Sequence, residues 1–290
     1  MLNQIRKALA AGIVCVALTA TAASAHTWKT LYAFGDSYTD SGAGYAATHG
    51  PTSVVYLARS LGIPFTYYGD PADQGGAEGL NFAVSAATTG GGQGFWVRPV
   101  DRALGTKEAM FARGMKVQVQ DFVRLVKTGT HHFDPQTKLF FLAGGLNDDA
   151  FTTAQTIDNL TSEVTTLYAA GGRYFMIAQL PTAVPAFHDT AARLNPALAM
   201  LPAALQARLP GAHVIESKWG QYIDDVMGKA KQFGFTNTTD KCVGQAIMGE
   251  DPKPCADPDA HFYYEIFHPS TKVHKIVAEG LVRDLKAFDG

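Results

Sequence analysis

Positive charge is in short supply in this chain. Lys and Arg number 24 against 26 Asp and Glu, for a formal net charge of −2. A nucleic-acid binder needs a basic face to neutralise phosphates, so the balance argues against that class. A membrane-spanning run is missing too. Ala8 to Ala22 is apolar and uncharged, but about 15 residues fall short of the roughly 20 needed to cross a bilayer. Repeats and Pro-rich linkers are absent, which leaves nothing to divide the chain. Cysteine is scarce at three, an odd count that a secreted chain must account for. What is plentiful is apolar content, 47% of residues, which excludes disorder.

The N-terminus resolves the odd cysteine. Arg6 and Lys7 precede the apolar stretch, and Ala23-Ser24-Ala25 follows it. This order of positive, apolar and small-x-small segments predicts a signal peptide over residues 1–25, cleaved before His26. The mature chain then carries 22 basic and 26 acidic residues, net −4, and no integral membrane segment. The predicted destination is the periplasm or the exterior. Cys15 leaves with the leader, and Cys242 and Cys255 remain to pair in an oxidising compartment. Closing a loop of about 15 residues contributes on the order of 3 kcal/mol in the chain-entropy model. A metal site drawn from Asp251, Cys255, Asp257, Asp259 and His261 has no recognisable ligand spacing, so no metal is expected.

Short apolar runs alternate with helical periodicities. Leu31 to Phe34, Leu139 to Ala143, Tyr174 to Ala178 and His213 to Ile215 read as buried strands, with Asn81 to Ala83 as a further one. Ile157, Leu160, Val164 and Leu167 share a helix face, as do Phe122, Val123 and Val126. Val273, Ile276, Val277 and Leu281 form a third such face. Continuously apolar strands between amphipathic helices predict an α/β fold with a mainly parallel sheet in three α/β/α layers. The prediction is one domain over residues 26–290, with an irregular insertion at about 235–260 pinned by the disulfide.

In such sheets, chemistry collects at the carboxyl ends of the strands. After the first strand, Gly35-Asp36-Ser37 presents a serine at a turn, predicted to lead into a helix whose N-terminus would favour an oxyanion. A Ser/Asp helix cap accounts for the same residues. After the third strand, Gly144-Gly145-Leu146-Asn147-Asp148 offers an amide, or simply a turn. Near the C-terminus, Glu265-Ile266-Phe267-His268-Pro269-Ser270 places a histidine just before the last helix, with a carboxylate three residues earlier. His274, further along, reads as packing. No G-x-S-x-G elbow is present. Gly90-Gly91-Gly92-Gln93-Gly94 lacks the lysine of a phosphate loop, and Gly42 to Ala47 lies too far beyond its strand for a dinucleotide fingerprint.

Taken together, these segments resemble the GDSL, or SGNH, hydrolases. Gly35-Asp36-Ser37 is similar to the first block of that family and Asn81-Phe82-Ala83-Val84-Ser85-Ala86 to the second. Gly145-Leu146-Asn147-Asp148 matches the third, G-x-N-D, and Glu265 to His268 resembles the last, D-x-x-H. The resemblance implies a flavodoxin-like three-layer fold and a serine esterase acting through an acyl-enzyme without metal or cofactor. Ser37 would be the nucleophile, His268 the general base and Glu265 the acid that orients it. The oxyanion hole would comprise the Ser37 N–H, the Ala86 N–H and the Asn147 side chain. Two positions depart from the pattern. Ala86 stands where the family has glycine, so either it is strained at positive φ or the donor moves towards Gly90. Glu265 stands where the family has aspartate, so either it reaches His268 differently or a backbone carbonyl orients the imidazole.

Substrate candidates are small-molecule or lipid esters. Phe95, Trp96 and Phe267 would line an apolar acyl pocket or a face for a quaternary ammonium. Gly42-Ala43-Gly44-Tyr45 is similar to bacterial choline-ester hydrolases of the family. Lipase, lysophospholipase and acyltransferase activities, and an inactive extracellular binding protein, are the alternatives.

Overall fold

The computed structural model describes residues 26–70, 79–92, 113–129, 134–246 and 249–289. The leader and the aromatic pair Phe95 and Trp96 lie outside the described residues. Six strands form one parallel sheet: β1 (Thr30–Gly35), β2 (Phe65–Tyr67), β3 (Gly79–Asn81), β4 (Lys138–Ala143), β5 (Tyr174–Ala178) and β6 (His213–Ser217), in the order β2-β3-β1-β4-β5-β6. Every residue of β1, β3, β4 and β5 is buried. That is why β1, β4 and β5 read as unbroken apolar runs rather than as alternation, whereas β3, Gly-Leu-Asn, ends at Asn81, where the sequence suggested that a strand begins.

Helices cover the sheet in two groups. α1 (Ser53–Ser60), α5 (Trp219–Gly228) and α6 (Thr271–Asp289) pack together, as do α2 (Met115–Lys127), α3 (Thr153–Ala169) and α4 (His188–Arg208). The core is rich in rings, with Phe34 stacked on Phe82 at 5.2 Å and Phe122 edge-on to Phe140 at 5.3 Å. Among the described residues, no helix is long and apolar enough to cross a membrane. The predicted α/β layers and parallel sheet are present.

Some expectations need correction. The segment at 235–260 is not irregular throughout, because β7 (Asn237–Lys241) pairs parallel with β8 (His261–Glu265). β8 pairs in turn with the two-residue β9 (His268–Pro269), antiparallel. The polar sequence of β7 hides its strand character. Cys242 and Cys255 form the expected disulfide beside it.

The strand order positions the site. β1 lies between β3 and β4, so the chain winds in opposite directions from it. The loops leaving the carboxyl ends of these three neighbours therefore open on one crevice. They carry Ser37, Ala86 and Asn147.

Candidate active site

Gly35 ends β1 against a close neighbour: a Cβ there would stand 2.5 Å from the Ala143 carbonyl oxygen. The buried Gln118 amide on α2 grips the same residue twice. Gly35 N–H donates to Gln118 Oε1 at 3.0 Å, and Gln118 Nε2 donates to the Gly35 carbonyl at 2.9 Å. The chain then makes one helical turn and stops. Thr39 N–H and Asp40 N–H both donate to the Asp36 carbonyl, at 3.0 and 2.9 Å, and Tyr38 N–H donates to Asp36 Oδ1 at 3.1 Å. The helix predicted directly after Ser37 does not form, and α1 begins only at Ser53. Asp40, Ser41, Gly42 and Gly44 explain this, since they favour local turns over helix. Any electrostatic help to an oxyanion here comes from individual N–H groups rather than a helix end.

The β8–β9 hairpin delivers the histidine. Glu265 and His268 are register partners across it, and Ser270 N–H donates to the Phe262 carbonyl at 2.7 Å. Tyr38 ties the two loops together, its hydroxyl donating to the Phe267 carbonyl and its ring lying 5.6 Å from the imidazole. As a result His268 Nε2 stands 2.8 Å from Ser37 Oγ. His268 is buried, which lowers its pKa to about 4 and keeps the imidazole neutral. His274 is also buried, 6.4 Å from the Tyr38 ring, as packing requires.

Glu265 does not complete a triad. Its Oε1 accepts the Tyr45 hydroxyl, and its Oε2 accepts Gln245 Nε2 at 3.5 Å. His268 Nδ1 is buried and has no hydrogen-bond partner among the described residues, so no backbone carbonyl of theirs orients it either. Glu is one methylene longer than the aspartate of the family pattern, and its carboxylate is spent on the phenol of the 42–45 loop instead. Burial raises the Glu265 pKa, opposed by the Tyr45 and Gln245 hydrogen bonds.

The opposite wall of the crevice is a turn. Ala87 N–H donates to the Val84 carbonyl at 3.0 Å, and Ala86 has φ +65°, the one described non-glycine residue in the left-handed region. Of the two alternatives for this position, Ala86 takes the strained one, at a cost on the order of 1 kcal/mol. Asn147 sits beyond Gly145, whose φ of +122° an L side chain rarely adopts. One Asn147 Nδ2 hydrogen goes to the Ala87 carbonyl at 3.1 Å, which leaves its second donor for a ligand. Asp148 anchors that loop from below, accepting Thr89 N–H, Thr89 Oγ1 and Thr156 Oγ1 at 3.0, 2.5 and 2.7 Å.

Phe267 borders the mouth, its ring 5.3 Å from Phe187 and 5.2 Å from His268. As for metal, Cys242, Cys255 and His261 offer ligand atoms within 4.8 Å of one another, but both sulfurs are committed to the disulfide. Sequence reasoning assigned no role to Gln118, Tyr38 or Asp40. Tyr38 and Asp40 follow directly on the first motif and were within reach; Gln118, 83 residues from Gly35, gave no signal.

A serine and a neutral histidine in hydrogen-bond contact form an arrangement able to perform acyl transfer. The model of the GDSL-like lipase/acylhydrolase family matches residues 31–281. The chain belongs to that family. GDSL esterase/lipase EXL5 of Arabidopsis thaliana is 36% identical over 62 residues, covering 21% of this chain and 16% of the relative. A second Arabidopsis GDSL esterase/lipase is 24% identical over 83% of this chain and 71% of its own. The chain thus spans only a small part of the first of these plant relatives. Among solved structures, an acetyl-xylooligosaccharide esterase of Geobacillus stearothermophilus superposes with a TM-score of 0.50 at 14% identity, over 90% of this chain and 95% of that one. At that identity the likeness concerns the fold.

Proposed function

We propose that this GDSL-family protein hydrolyses carboxylic esters through an acyl-enzyme on Ser37. The observation that carries the reading is the 2.8 Å contact between Ser37 Oγ and His268 Nε2. Neutral Nε2 takes the hydroxyl proton as Oγ attacks the ester carbonyl carbon. The electron pair of the carbonyl moves onto its oxygen, which the N–H groups of Ser37 and Ala86 and the second Asn147 amide hydrogen receive. Neither backbone N–H donates to an acceptor within the described residues. The tetrahedral intermediate collapses as imidazolium returns the proton to the departing alkoxide. Water then repeats the sequence on the acyl-enzyme, with His268 as base, and releases the acid. Nδ1–H, lacking an acceptor, leaves the imidazolium less stabilised than in a full triad.

Short acyl chains are the first reading, supported by Phe267, whose ring lies 5.2 Å from that of His268 and edge-on to Phe187. Choline esters are the second reading, supported by the Tyr45–Glu265 pair, a phenol ring hydrogen-bonded to a carboxylate on the residue paired with His268. The protein acts outside the cytoplasm in this reading, in the periplasm or beyond, supported by the Ala23-Ser24-Ala25 leader end and the disulfide. The test is hydrolysis of a short p-nitrophenyl ester by purified protein and by its Ser37→Ala variant. Turnover lost in the variant with an unchanged melting temperature is the expected result. Equal turnover in both overturns the assignment. A kcat/KM for acetylcholine no higher than for a neutral acetate ester removes the choline reading.

A further inference from the structure

The left-handed alanine in the oxyanion wall raises a physical question. A Val84–Ala87 turn with positive φ at its third residue is type II in character. The type I turn differs from it by a flip of the central peptide, here Ser85–Ala86, and that peptide owns the Ala86 N–H. Flipping it would exchange the N–H and carbonyl directions and turn the oxyanion donor away. For a non-glycine residue the left-handed conformation is disfavoured by roughly five- to thirtyfold. Val-Ser-Ala-Ala, left to itself, therefore prefers the orientation that disarms the site. Something must hold it.

The residues on either side of the peptide are held by a brace. Ser85 N–H donates to Asp40 Oδ2 at 2.8 Å, and Ser85 Oγ donates to the Tyr45 carbonyl. Asp40 is fully buried and also gathers Gly42 N–H at 2.9 Å, Gly44 N–H at 3.1 Å and Tyr45 N–H at 2.9 Å. It thereby fixes the carbonyl that Ser85 Oγ uses. Gly44 presses against the turn so closely that a Cβ would lie 3.2 Å from Ser85 N and 2.6 Å from Asp40 Oδ2. On the far side, the Ala87 carbonyl is held by Asn147. None of these bonds uses the Ala86 N–H itself, so the brace sets its direction and leaves it free to donate.

Resting on the serine-esterase reading, we propose that Asp40 and Ser85 are positioning residues for the oxyanion hole, holding the Ser85–Ala86 peptide in the strained orientation that aims Ala86 N–H at the developing charge. Glycine at position 86 would remove the strain and with it the need for the brace, which separates this role from general structural support. The experiment is a double-mutant cycle of Ser85→Ala and Ala86→Gly, read as kcat and KM for a short p-nitrophenyl ester. Ser85→Ala is expected to lower kcat about 10-fold with KM changed less than about twofold, since the ground-state carbonyl draws little on the donor. The same S85A change made in the A86G background is expected to cost less than about twofold.

Asp40→Asn, which puts an amide against the ring of N–H donors, is expected to lose more, towards the 10²–10³ typical of a missing oxyanion donor. It is expected to be partly rescued by A86G. A full kcat in S85A overturns the proposal, as does an equal loss with or without A86G. Wild-type protein without esterase turnover overturns the esterase reading, and the positioning role with it. Turnover that depends on Ser37 but not on Ser85 overturns the positioning role alone.

Discussion

Protonation of His268 gives the most exposed test of the site as built. The imidazole is buried, and among the described residues no carboxylate meets its Nδ1, so burial sets its pKa, at about 4 against an ordinary 6.5. His274, buried close by, is held neutral down to about 3 by burial and, secondarily, by the His268 charge. A base with pKa 4 is about 90% neutral at pH 5, whereas one at 6.5 is only about 3% neutral. Going from pH 7 to pH 5 should therefore cost almost nothing in kcat/KM, where an ordinary histidine would cost about 25-fold. Activity falls only as the pH passes below about 5, because the lowered pKa moves the charged, inactive form to stronger acid. The assay is initial rates at low ester concentration from pH 4 to 8, followed at the isosbestic wavelength of the nitrophenol product. An acid limb near pH 6.5 or above refutes the reasoning, since it would require a carboxylate on Nδ1. Burial pushes the pKa of Asp36 up to about 7, but that carboxyl carries no proton in the reaction, so Asp36→Asn leaves both the flat region and the acid limb in place.

Other outcomes follow from the same geometry. Glu265→Gln keeps an oxygen for the Tyr45 hydroxyl, so kcat should change less than about threefold, whereas loss of a triad carboxylate costs about 10⁴; steady-state kinetics distinguish these. Asp36 is favoured neutral in the folded protein, so its contribution is intact below its ordinary value of 3.8 and is lost as pH rises to about 7. That interval corresponds to at most roughly 4 kcal/mol. Asp36→Asn retains an acceptor for Tyr38 N–H and should raise the melting temperature at pH 8 but not at pH 4; a shift independent of pH contradicts this. Reducing Cys242–Cys255, 13 residues apart, should lower stability by up to about 3 kcal/mol, visible in thermal melts with and without reductant.

Much of this was legible in the sequence where one physical signal dominated. β1, β4 and β5 are buried on both faces, and their apolar runs announced them. The Ser37–His268 pairing spans 231 residues and followed only from the ordered motifs and their likeness to a family. Elements with mixed signals stayed hidden. α4 carries Pro196 and Pro202 within it, which break the helical pattern on paper although the rest of the helix packs. β7 reads Asn-Thr-Thr-Asp-Lys and owes its strand to β8. For Glu265, the spacing to His268 was right and the direction was wrong. A three-residue offset places a carboxylate near the histidine, but only the Tyr45 phenol, 220 residues away, decides where it points. Ala86 shows the reverse case: the family's glycine at that position made a positive φ one of two readings, and the backbone takes it.

The most direct measurement is mass spectrometry of the protein quenched during turnover of a slowly deacylating p-nitrophenyl ester. The account predicts a mass increase of one acyl group, confined to the peptide containing Ser37, and absent in Ser37→Ala and in protein without substrate. Continuous ester turnover with no acyl group on Ser37, or with the label on another residue, would contradict it.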